Sequence, residues 1–149
     1  MKRVNKVILF VLLALTASAT LAQGIPEGKW VLDLNATIER MGQRERAELE
    51  GMPEQRRAKV RESFEGRGFH FSGDGRAEVT YLARGESKLA KGSWSFDAGE
   101  NRLTITAEGI TRSYDVVWLS ERCIRLILRD VPPHALFRSF VLVKEKKKQ

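Results

Sequence analysis

Soft metal ligands are scarce in this chain, with one cysteine and two histidines in 149 residues. A lone cysteine, Cys123, forms no internal disulfide, so the stability of the protein rests on a packed core. The thiol itself packs as a small apolar group or pairs between chains. His70 falls on the outward face of an expected strand and His134 lies in a proline loop. With Cys123 far along another strand, no pair has the ligand spacing of a zinc site. The chain also lacks a Gly-x-Ser-x-Gly elbow, and neither histidine has an orienting acid beside it. These absences predict a non-catalytic protein without metal or cofactor.

An excess of charge of either sign is missing from the body of the chain, although the total is +7. Long apolar runs are missing too, except at the start. "MKRVNK" is basic, and "VILFVLLALTASATLA" after it is apolar and ends in small residues. That is the pattern of a secretory signal peptide, with cleavage expected after Ala22. Residues 1–22 remove three bases and no acid, leaving +4 on residues 23–149. The tail 144–149 carries four lysines against Glu145, so the folded body is near +1. A nucleic-acid partner requires a clustered basic face, and none is visible. The tail reads as a solvated end rather than a membrane contact. The mature protein is expected to be periplasmic or secreted, as one domain large enough for a core.

What is present is period-two alternation. Lys29 to Asn35 places Trp30, Leu32 and Leu34 on one face. After Gly68 the pattern repeats: Phe69 with Phe71, then Ala77, Val79, Tyr81 and Ala83. Next come Ala90, Gly92, Trp94 and Phe96, then Leu103 and Ile105, and later Ile124, Leu126 and Leu128. Thr111 to Ser120 is apolar on both faces near its end, which leaves its inner face open. "VPPHAL" is a loop because of its two prolines, and "FRSFVLVK" is the last strand. Turns such as "GDG" and "DAGEN" are short, so sequential neighbours pair antiparallel. Between strands 1 and 2, residues 36–65 hold seven acids and seven bases among good helix formers. Asn35 is the expected N-cap, and "GMP" at 51–53 divides the segment into two helices. The thin apolar stripe of Ile38, Met41, Leu49, Val60 and Phe64 predicts a cover rather than a core. The fold class is mainly β: an eight-stranded antiparallel up-and-down barrel with a helix-turn-helix insert capping one mouth.

Three stretches carry a family likeness: "GKW" at 28–30, "FHFSGDGRAEV" at 69–79 and "GSWSFDAGENRLTIT" at 92–106. In order and spacing they resemble the calycin group of lipocalins, fatty-acid-binding proteins and bacterial lipocalin-like domains. The resemblance implies a barrel that binds a small hydrophobic or amphipathic molecule without a reaction. Fatty-acid-binding proteins often hold a carboxylate with Arg-x-Tyr on the last strand. This chain has Arg138-Ser139-Phe140 there, without the tyrosine.

The expected ligand-facing set is Trp30, Phe69, Phe71, Val79, Tyr81, Trp94, Phe96, Leu103, Ile105, Arg138 and Phe140. Barrels of this size are either filled by side chains or hold one small ligand. Arg138 and Arg112 each precede an aromatic by two residues, and buried, either would need an anionic partner. Two functions follow. One is a carrier for an apolar ligand. The other is a filled barrel that meets a cell-envelope protein through its surface, an inhibitor for example.

Overall fold

The alternating segments form strands that close on themselves. The computed structural model describes residues 24–148; the expected signal segment 1–22 lies outside them. The strands are β1 (Gly28–Leu32), β2 (Gly68–Phe71), β3 (Arg76–Ala83) and β4 (Glu86–Asp97), then β5 (Arg102–Ala107), β6 (Ile110–Ser120), β7 (Cys123–Leu128) and β8 (Ser139–Lys144). Each pairs antiparallel with the next, and β1 also pairs with β8, from Trp30 opposite Lys144 to Leu32 opposite Leu142. Closure leaves no unpaired edge. The turns use the geometry their residues allow: Gly75, Gly85 and Gly109 have positive φ of 85°, 75° and 76°.

β6 settles the face that alternation alone left open. Its even-numbered residues point inward: Val116 is buried, and Tyr114 and Trp118 pack on the core. Val117 and Leu119 face out and are 42% and 38% exposed. A bulge between Trp118 and Ser120 shifts the register before the turn.

The insert differs from expectation in two ways, each with a local cause. It contains three helices, not two: α1 (Leu34–Glu39), α2 (Gln43–Glu50) and α3 (Glu54–Phe64). The N-cap is Asp33 rather than Asn35, and its Oδ1 accepts from the Ala36 N–H at 3.0 Å. Leu34 is therefore the first helical residue and not the end of β1. The extra break at Met41–Gly42 is held by Arg46, whose guanidinium donates to the carbonyls of Ile38 and Glu39 at 3.0 and 2.7 Å. The break at Gly51–Pro53 stands where the sequence placed it.

α1 is bolted to the outer face of β8 by Thr37. Its buried hydroxyl donates to the Asp33 carbonyl at 2.7 Å and accepts from the Val141 N–H at 2.9 Å. α3 buries no residue fully, as its polar composition requires. It leans on the barrel through Val60 and Phe64, and the Glu62 carboxylate accepts from the Gly85 N–H in the β3–β4 turn at 2.9 Å. Among the described residues no helix is long and apolar enough to cross a membrane.

Candidate functional site

The barrel interior has two unlike halves. At the end away from the helices, aromatic and branched side chains fill it. Trp30, Phe71, Leu103, Ile124 and Leu142 are almost wholly removed from solvent there. Trp30 meets Trp118 edge-on with ring centroids 6.1 Å apart, and Phe71 meets Trp94 at 5.4 Å. Two of the three indole N–H groups are tied off at the rim, while that of Trp118 is buried without an acceptor. Trp30 donates to the Pro26 carbonyl at 3.0 Å, and Trp94 donates to that of Ser72 at 2.8 Å. This half is a solid floor.

Toward the helices the interior opens into a chamber of 170 Å³. Its walls are apolar: Phe69 from β2, Val79 from β3, Ile105 and Ala107 from β5, Leu126 from β7 and Phe140 from β8. The small side chain of Ala107 helps leave the space. β6 contributes Ile110, Arg112 and Tyr114, of which Ile110 and Arg112 stand exposed at the mouth. Arg67, from the junction of α3 and β2, completes the lining.

Arg67 is the unusual member. Its guanidinium carbon lies 4.3 Å from the centroid of the Phe64 ring and 5.7 Å from that of Tyr81. One terminal nitrogen donates to the Ser63 carbonyl at 2.9 Å, while Nε is buried without a hydrogen-bond acceptor. Burial holds its pKa below the ordinary arginine value, with Tyr114 and Tyr81 opposing the shift. Burial likewise pushes the Tyr114 phenol up, against the pull of Arg112 and Arg67. Among the described residues no carboxylate lines the chamber. Among the described residues neither Arg67 nor Arg112 forms an ion pair.

Four of the expected ligand-facing residues line the chamber: Phe69, Val79, Ile105 and Phe140. Trp30, Phe71 and Leu103, in the core, and Trp94 and Phe96, half-buried against it, are not among the residues that line the chamber. Tyr81 reaches the site only as a flank of Arg67. Arg138 is displaced outright. β8 begins at Ser139, so Arg138 lies in the preceding loop, where its Nε donates to the Glu45 carboxylate of α2 at 3.0 Å on the outside. Phe137, expected in the last strand, is a buried loop residue whose ring is tilted against that of Phe64, with centroids 4.5 Å apart.

Arg67, Tyr114 and Leu126 were not expected at a site. Arg67 had no strand periodicity to mark it, and Tyr114 lay on the strand whose inner face was open. Arg112, which buried would need an anionic partner, stands exposed at the mouth.

A larger hollow of 350 Å³ lies between Lys29, His70, Glu78 and Thr80. These residues share the outer face of β1–β3, and His70 Nδ1 sits 3.7 Å from the Glu78 carboxylate. It is an outer-face groove with a mainly polar lining, so the smaller, mainly apolar interior chamber is the better site. Among the described residues no three histidine, cysteine or acidic side chains converge as metal ligands would. No protein-family model matches this sequence, and no curated protein and no solved structure shows significant similarity to it.

Proposed function

We propose that this protein is a periplasmic or secreted, non-catalytic binding protein that takes a small hydrophobic or amphipathic molecule into the half-open barrel. The observation that carries the reading is the chamber: 170 Å³ of apolar space above a filled floor, flanked by Arg67 where the polar helical insert joins β2. An apolar cavity of about 150 Å³ is enough to hold a benzene-sized guest. Burying about 100 Å² of such a guest contributes about 2.5 kcal/mol, so apolar contact alone gives weak binding. α3, with no fully buried residue, is the element whose local opening costs least and would admit the ligand.

Filling the chamber tests the reading. Ala107→Trp projects an indole into it from β5. The variant is expected to keep its thermal unfolding midpoint within a few degrees and to lose binding of an environment-sensitive naphthalene dye. Unchanged dye binding in a folded Ala107→Trp protein would contradict the chamber as the site.

A second reading, an envelope interaction module, has one observation in its favour. Val117, Leu119 and Val143 are 42%, 38% and 38% exposed on the outer face of β6 and β8, and Cys123 lies half-buried opposite Val143. Those side chains are moderate in size and interrupted by Arg125, which lies opposite Val117 in the ladder. The interior chamber therefore ranks first.

A further inference from the structure

We infer that the chamber selects a small organic monoanion, a carboxylate on an apolar body of about one ring, rather than a neutral molecule or a long acyl chain. The inference rests on the chamber being a ligand site and adds the chemistry of what fills it. Size sets the first limit. The floor of Trp30, Phe71, Leu103 and Leu142 is closed, so the 170 Å³ above it has no continuation along the barrel axis. Drug-sized pockets run to at least about 300 Å³, and an extended acyl chain needs such length. A single ring or a short branched body fits the smaller space.

Charge sets the second limit. Two guanidiniums border the chamber, with no carboxylate in its lining and no ion pair of their own among the described residues. They differ in setting. Arg112 is exposed at the mouth, where water satisfies it. Arg67 is half-buried between Phe64 and Tyr81, with Nε lacking an acceptor. A buried donor without an acceptor is costly, and a guest carboxylate with two coplanar oxygens supplies what a planar guanidinium lacks. The Tyr114 phenol borders the same space and adds a neutral donor. The polar groups lie on one side, the helix side and β6, so the guest is amphipathic: ring inward, charge toward Arg67 and the mouth.

The position of Arg67 adds a consequence. Its backbone carbonyl accepts from the Leu32 N–H at 2.8 Å, its side chain holds the Ser63 carbonyl, and its guanidinium lies on Phe64 of α3. An anion held there is bonded to the junction between the insert and β2.

The test is calorimetric titration of the full-length protein at pH 7 with 4-isopropylbenzoate, its uncharged alcohol 4-isopropylbenzyl alcohol, and dodecanoate. The acid is expected to bind at least about tenfold tighter than the alcohol, and dodecanoate more weakly than the ring acid. Arg112→Gln, at an exposed position, and Arg67→Met are each expected to erase most of that preference. The quantity read is the acid-to-alcohol affinity ratio within each variant, so a general weakening of both ligands does not imitate the loss of preference. Equal binding of acid and alcohol to the wild type would overturn the anion inference while leaving the chamber as a ligand site. Tighter dodecanoate would overturn the size limit. Absence of binding by all three would sink the inference together with the chamber reading. Full preference in a folded Arg112→Gln protein and in a folded Arg67→Met protein would place the charge contact elsewhere and overturn the assignment.

Discussion

Single residues decide both the closure of the barrel and the chemistry of its chamber. Gly92 is a case of closure. It lies opposite Ala107 on β5, and a Cβ added there would run into the Thr106 backbone carbonyl. Neither strand can withdraw without breaking the ladder, so Gly92→Ala is expected to cost about 2–3 kcal/mol. Urea unfolding measures this directly, and a loss below about 0.5 kcal/mol would contradict the close approach. Tyr114 is a case of chemistry. Its folded pKa lies above the unfolded value of 10.0 because the phenolate would be poorly solvated. The folded state keeps the proton to higher pH than the unfolded chain. Its contribution to stability is therefore whole below pH 10 and is lost as pH rises beyond it. Tyr114→Phe is expected to flatten that alkaline decline in unfolding midpoint, and a midpoint profile identical to wild type would show no such linkage. Among residues, alternation put Phe69, Val79, Ile105 and Phe140 on inward faces but could not separate this chamber wall from the floor of Trp30, Phe71, Trp94, Phe96 and Leu103. All of them point inward; only the volume left around them distinguishes the two, and volume depends on every neighbour at once. Arg67 was invisible for another reason, since a lone arginine in a turn carries no period.

Elements were more legible, because period two and turn chemistry are local signals. The eight strands and their antiparallel order follow from alternation broken by glycine-rich turns. The helical insert was less so. Asn35 and Asp33 are both good N-caps, and the choice fell to Asp33 because Thr37, four residues on, then reaches Val141. The break at Gly42 depends on Arg46 reaching back seven and eight residues, which no local pattern reports. Thr37 is the link between insert and barrel that can be cut alone. Thr37→Val keeps the shape but leaves the Val141 N–H without its acceptor, at a cost of about 1–3 kcal/mol. Hydrogen exchange would show the effect as faster exchange at Val141 and along α1. Protection at Val141 equal to wild type would mean that the hydroxyl is not its partner.

At the scale of the whole molecule, the division of the barrel explains how one small domain without an internal disulfide can be both stable and hollow. The lower half supplies a packed core, with Trp30, Phe71, Leu103, Ile124 and Leu142 nearly free of solvent contact. The upper half gives up packing density for space, and there the chain places Arg67, Arg112 and Tyr114 beside apolar walls. The most direct measurement is methyl-detected NMR of the protein titrated with 4-isopropylbenzoate. Both halves contain methyl groups that report separately. The account predicts large shifts at Val79, Ile105, Ile110 and Leu126, and small ones at Ile124 and Leu142 in the floor. Shifts confined to Val117, Leu119 and Val143 on the outer face, or no shifts at all, would contradict it.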